Sequence, residues 1–288
     1  MMTKIGVLFP QLESGTDPAA IRDYIQAVEG MGYDYLAIFD HVLGVDAKRP
    51  GWTGAYSSES LFHEPLVLFG FFAGLTQRLE FTTSVLIMPQ RQTALLAKQA
   101  AEVDVLSGGG RLRLGVGTGW NRWEYEALGY DFTKRGRRAD EQIMLLRRLW
   151  SEEAFVFEGR FDKFTNVGIN PLPVHRSIPI WIGGTADAVL ERVGRLGDGW
   201  YPQLRQPSEL PANIEKINVA AVAADRDPSK IGYDAGVNIG DGVPTAVERG
   251  REWVSFGATH VRVNTMRAGY TSMQQHIDGL RAFKAAWG

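Results

Sequence analysis

Eight short apolar runs recur along the 288 residues of this chain, and after each one a polar or glycine-bearing turn leads into a segment with helical spacing. The runs fall at about 5–9, 35–39, 79–87, 112–116, 179–182, 199–202, 233–239 and 260–264. The run at 5–9 is continuously apolar and is stopped by Pro10, which suits a strand covered on both faces. Parallel strands need a crossover of a dozen residues or more, usually a helix, so strands and helices must alternate. Strict alternation without a composition break predicts one (β/α)₈ barrel over 1–288, with a doubly wound open sheet as the runner-up.

The intervening segments carry helix signals. Asp17-Pro18 offers an N-cap followed by proline at the first helical position, and Ile21, Tyr24, Ile25 and Val28 form one face. Further helices are expected over 65–75, 93–106, 138–150, about 208–224 and 247–256. A closing helix has Met273, Ile277, Leu280 and Trp287 on one face. Residues 155–164 read as a hairpin inserted after the fourth strand, and 42–62 as a long loop of the kind that usually carries function.

The fourth run is the most informative. Leu112, Leu114 and Val116 alternate as in a pleated strand, which then breaks into Gly117-Thr118-Gly119-Trp120. Glycines at the carboxyl end of a strand let the backbone turn sharply and approach a ligand. A dinucleotide fingerprint would need glycine where Trp120 stands, and no Gly-Lys-Ser/Thr follows for a phosphate loop. The stretch reads as a cofactor-binding βα loop, or otherwise as a plain turn.

Several chemistries are set aside by composition. The net charge of −2 leaves no basic field for nucleic acid, and the absence of cysteine removes thiolate and iron–sulfur chemistry. Five scattered histidines without a paired spacing predict no metal site. No window reaches eighteen apolar residues and the amino terminus has too short an apolar run for a signal peptide, so a cytoplasmic enzyme without membrane contact is expected. The run Lys134-Arg135-Gly136-Arg137-Arg138 reads as a solvated helix entrance, or as an attraction for an anionic cofactor tail.

In a barrel the ligand lies at the carboxyl ends of the strands. The groups delivered there are Asp40 and His41, then Ser84, then Thr118 and Gly119, and then Gly183-Gly184-Thr185. The last of these opens a helix, whose free N–H groups suit a phosphate.

The segments IGVLFP, YDYLAIFDHV, EFTTSVLIMP, KQAAEVDVLSGGGRLRLGVGTGW, EALG, RGRRADE, IPIWIGG and LGDGWYP together resemble the luciferase-like monooxygenase superfamily, in particular its deazaflavin (coenzyme F420) branch. The resemblance fades after about Leu204. It implies hydride transfer between coenzyme F420 and a small organic substrate. It places cofactor contacts on Asp40, Ser84, Val85, Thr118, Gly119, Gly183 and Gly184, with Thr185 beside them, and a non-prolyl cis peptide at Ser84-Val85. His41 matches a histidine kept beside the hydride-transfer centre. Sugar and alcohol dehydrogenases of the branch carry glutamate where this chain has Trp120, which points to a more apolar substrate walled by Trp52, Tyr56, Phe62 and Trp120. FMN members share most of these motifs, so an FMN-dependent monooxygenase using O₂ and a non-catalytic flavin-binding barrel stand as alternatives. The resemblance and the apolar helices at 65–75 and 93–106 also imply a homodimer.

Overall fold

A computed structural model describes residues 3–288 of the chain. In order, β1 (Lys4–Leu8), α1 (Pro18–Gly30), β2 (Tyr35–Ile38) and α2 (Pro65–Ala73) lead to a divided third strand, β3 (Glu80–Thr83) and β4 (Leu86–Ile87). There follow α3 (Thr93–Leu106), β5 (Leu112–Gly117), α4 (Arg122–Ala127) and α5 (Arg135–Ser151), and then the antiparallel hairpin β6 (Phe155–Glu158) and β7 (Lys163–Val167). The barrel resumes with β8 (Ile180–Gly183), α6 (Asp187–Leu196), β9 (Gly199–Tyr201), α7 (Leu210–Ala223), β10 (Gly232–Asn238), α8 (Val243–Ser255), β11 (His260–Asn264) and α9 (Met273–Trp287).

Every pairing in the large sheet is parallel. The order is β3-β2-β1-β11-β10-β9-β8-β5-β4, and β3 also pairs with β5, so the sheet closes and the open-sheet alternative is excluded. Counting β3 and β4 as one interrupted strand gives the eight strands of a (β/α)₈ barrel. Residues 79–87 therefore do not form the single strand that their apolar run suggests. The Thr83 carbonyl leans across β5 where Gly115 has no side chain; a Cβ there would lie 1.7 Å from that oxygen. The Ser84-Val85 peptide that follows is cis, and pairing to β5 resumes at Leu86.

Helix boundaries shift for local reasons. The α2 helix starts at Pro65 as expected, where the Glu64 side chain accepts from Val67 N at 2.7 Å, but it ends at Ala73 rather than 75, with Gly74 at its C-cap. The α8 helix starts at Val243 rather than 247, with Pro244 in the first turn where its missing N–H is no loss. The hairpin extends to Val167, and the Glu141 carboxylate accepts from Arg160, Phe161 and Asp162 at its turn.

The barrel interior is unusual in carrying charge. Arg113 is 7% exposed, and its guanidinium lies 4.5 Å from the Tyr35 ring and 4.6 Å from the Trp181 ring. Desolvated cation–π contacts of this kind are each worth roughly 2 kcal/mol. Glycines opposite make room for these side chains: a Cβ at Gly6 would meet the Tyr35 ring at 2.4 Å, and one at Gly199 the Trp181 ring at 2.2 Å. Outside the barrel, α1 buries Ile21, Tyr24, Ile25 and Val28, the face read from their spacing. The α9 helix buries Met273, Ile277 and Leu280, while Trp287 is half-buried and stacked on Phe283.

Candidate active site

A cleft of about 410 Å³ opens where the strands end. It gathers Asp40 and His41 beyond β2, Ser84 and Val85 between β3 and β4, and Thr118, Gly119 and Trp120 beyond β5. Gly183, Gly184 and Thr185 at the end of β8 and Tyr56 from the long loop complete the residues expected there. Two expected wall residues stand behind the lining instead. Trp52 packs on Trp120 with ring centroids 5.7 Å apart, and Phe62 on His41 at 4.8 Å. Both lie on the loop before α2 that folds over the mouth, so they buttress the wall.

The floor is built from small residues on purpose of space. Val85 is flanked by strand-end glycines: a Cβ at Gly117 would approach its Cγ2 to 2.5 Å, and one at Gly183 its Cγ1 to 2.8 Å. Gly119 has φ +67° and its absent Cβ would meet Ile87 at 2.7 Å, so glycine is required there twice over. From below, Arg262 on β11 donates to Ser84 Oγ at 2.7 Å and stands 3.5 Å from Asp234. The α6 helix begins beyond Thr185 with no side-chain cap on its first turn, and Trp200 Nε1 donates to the Gly184 carbonyl at 2.7 Å.

Asp40 is 4% exposed and both carboxylate oxygens are engaged. Arg91 Nη2 donates to one at 2.8 Å, Ile87 N to the other at 3.0 Å, and Arg91 also reaches Glu64 at 3.1 Å. Burial raises the Asp40 pKa above its ordinary value, against the opposing pull of Arg91 and the Ile87 N–H. Asp40 is thus a tie between the end of β2 and the turn after β4, at the edge of the cleft.

His41 is half-buried among Tyr56, Phe62 and Trp120. Its Nδ1 lies 3.2 Å from Oε2 of Glu124, a residue 2% exposed on α4. The other oxygen of Glu124 accepts from Val42 N at 2.7 Å and Leu43 N at 3.1 Å. Burial alone would raise the Glu124 pKa, but the bonds from His41, Leu43 and Val42 outweigh it and hold the group below its ordinary value.

Nothing in the sequence pattern singles out Glu124, Arg91 and Arg262 as members of the site. Glu124 had a signal: Asn121-x-x-Glu124 is helix-start spacing, and Asn121 does cap α4. Its glutamate, however, reaches 83 residues back rather than folding over the cap. Arg262 had one too, as the middle polar residue of His260-Val261-Arg262-Val263-Asn264, where alternation points every second side chain inward. In the basic run, Lys134 pairs with Asp131 at 2.8 Å and Arg135 lies 3.8 Å from the Phe132 ring, while Arg138 lies over Tyr130 and donates to the Arg91 carbonyl at 3.3 Å, and Arg137 is exposed. None of the five residues lines the cleft.

Residues 3–278 match the family model described as luciferase-like monooxygenase. An uncharacterized protein of Mycobacterium tuberculosis is 35% identical over 218 residues, 73% of this chain and 74% of that one. An FMNH₂-dependent dimethylsulfone monooxygenase of Pseudomonas fluorescens is 29% identical over 235 residues, 80% of this chain and 60% of that one. Among solved structures, an F420-dependent secondary alcohol dehydrogenase superposes with a TM-score of 0.80 at 18% identity, covering all of both chains. The F420-dependent tetrahydromethanopterin reductase of Methanopyrus kandleri gives 0.77 at 15% identity over 98% of each chain. These last two likenesses are likenesses of fold.

Proposed function

The chain belongs to the luciferase-like monooxygenase family, and we propose that it is a coenzyme F420-dependent oxidoreductase acting on a small organic substrate. The observation that carries this reading is the His41–Glu124 pair at the edge of a glycine-floored cleft. A hydride leaving or reaching a carbon bonded to oxygen requires a proton to move on that oxygen, and a histidine held by a buried carboxylate is suited to it. The cleft volume lies within the usual range for ligand sites, about 300–1,000 Å³.

The residues present fit a planar cofactor with an anionic tail. Val85, with Gly117 and Gly183 on either side, forms a floor without projecting side chains, and Ser84 and the Thr118-Gly119 backbone offer polar groups at its edge. The first turn of α6, free of a side-chain cap, suits the phosphate of the tail. A deazaflavin held there would supply the hydride chemistry. His41 holds or releases the proton, Tyr56 and Trp120 exclude water, and Asp40 fixes the edge of the site through Arg91 and Ile87.

A second reading, an FMNH₂-dependent monooxygenase, is favoured by the Pseudomonas relative. Titrating the protein with F420 and with FMN, followed by single-turnover reduction and oxidation across a substrate panel, separates the two. Tight F420 binding with hydride transfer supports the first reading. Tight FMN binding with O₂-dependent product formation selects the second, and binding without any turnover leaves a non-catalytic carrier barrel. The same protein is proposed to be a homodimer, since Val67 and Phe71 on α2 and Leu95 on α3 stay 70%, 42% and 53% exposed. A monomer mass at micromolar concentration would remove that proposal.

A further inference from the structure

We propose that Glu124 is the positioning residue that decides which nitrogen of His41 carries its proton, so that the neutral ring presents Nε2 to the cleft as a proton acceptor. The inference rests on the reading of His41 as the proton-handling group.

Glu124 belongs to no barrel strand and lies 83 residues from His41 in the chain, yet it is 2% exposed and its carboxylate is fully used. Oε1 accepts from the backbone N–H groups of Val42 and Leu43, which sets the plane of the carboxylate and leaves Oε2 facing His41 Nδ1. An ionised carboxylate only accepts hydrogen bonds, so Nδ1 must donate. In a neutral imidazole the other nitrogen is then bare. Among the described residues Nε2 of His41 has no hydrogen-bond partner, and it is open to solvent rather than buried. The rings of Tyr56, Phe62 and Trp120, centred 5.4, 4.8 and 5.9 Å away, hold the imidazole in this orientation.

The titratable groups facing His41 are Glu124 from α4 and Tyr56 from the long loop. Asp40, its neighbour in the chain, is committed to Arg91 and Ile87. In the oxidative direction a substrate hydroxyl proton passes to Nε2, and the imidazolium that results stays paired with the Glu124 carboxylate. In the reductive direction the same proton returns to the substrate oxygen. The carboxylate also pins the first two residues of the loop over the mouth, coupling loop placement to ring orientation.

The test is Glu124→Gln, which keeps the shape of the side chain. Its amide oxygen is needed by Val42 and Leu43, so its NH₂ group faces Nδ1 and forces that nitrogen to accept. The proton moves to Nε2, and the ring meets the cleft as a donor. Side-chain ¹⁵N spectra without cofactor read this directly, with His41→Asn identifying the signals. The parent protein is expected to show a protonated Nδ1 and a bare Nε2, and Glu124→Gln the reverse. Cofactor affinity should stay within a few-fold while single-turnover rate falls by about 10²- to 10⁴-fold, the scale of lost general-base assistance. A parent spectrum with the proton on Nε2 overturns the proposal even should the variant fail to fold, and so does an unchanged tautomer in Glu124→Gln. Inversion of the tautomer with undiminished turnover in both Glu124→Gln and His41→Asn upholds the positioning role and removes the reading of His41 beneath it.

Discussion

Arg262, in the last strand of the barrel, donates to Ser84 Oγ in the interrupted third strand at 2.7 Å, across 178 residues of chain. The same guanidinium stands 3.5 Å from Asp234, which is 0% exposed. The floor of the cleft is therefore propped from beneath by an ion pair inside the barrel. Arg262→Leu removes the prop and leaves Asp234 without this partner. Breaking a buried pair costs about 3–5 kcal/mol, and nearby Arg113 should keep the loss at the lower end. Urea unfolding measures it, and a loss below about 1 kcal/mol would show the pair to be incidental to stability.

His41 and Asp40 are adjacent in sequence but should respond differently to substitution. His41→Asn is expected to slow single-turnover hydride transfer by about 10²- to 10⁴-fold with cofactor affinity nearly unchanged. Asp40→Ala releases Arg91 and the Ile87 N–H, so it should weaken cofactor binding and lower stability. Equal turnover in His41→Asn and the parent would reduce that residue to a buttress of the loop.

Gly117 tests the floor. A Cβ there would lie 2.5 Å from Val85 Cγ2, and the displaced side chain would have to rise toward the ligand. Gly117→Ala should destabilise by about 1–3 kcal/mol, as overpacking does, and weaken cofactor binding. Adding Val85→Ala should recover most of the stability. Failure of the double substitution to recover any would place the strain elsewhere than at Val85.

Acid sensitivity should trace in part to His260, at the opposite end of β11 from the cleft. Its ring lies 4.8 Å from Trp181 and 5.6 Å from Tyr35. Burial, with Arg113 and Lys4 adding to it, pushes its pKa down to about 2 from 6.5. With the folded value lowered, the unfolded chain binds the extra proton as pH falls below 6.5. Stability is then lost on acidification, by at most about 1.4 kcal/mol per pH unit for this one group. His260→Gln should flatten the dependence of unfolding free energy on pH between 7 and 5. An unchanged slope would assign the acid sensitivity to other groups.

Much of the barrel and its rim is legible in the sequence. Repeated apolar runs ending in Asp40-His41, Ser84, Thr118-Gly119 and Gly183-Gly184-Thr185 specify parallel strands, and parallel register alone puts all those ends on one rim. The expected cis peptide at Ser84-Val85 is present. These features are local, because hydrophobic period sets the backbone conformation and glycine permits the close approaches. Which side chains meet across the barrel was decided only by closure. The contact of Glu124 with His41, the prop from Arg262 to Ser84, and the retreat of Trp52 and Phe62 behind Trp120 and His41 depend on how α4 and the long loop settle over the mouth. Periodicity along the chain records that a residue is buried; the partner that satisfies its charge there is set by register and packing between segments far apart in sequence.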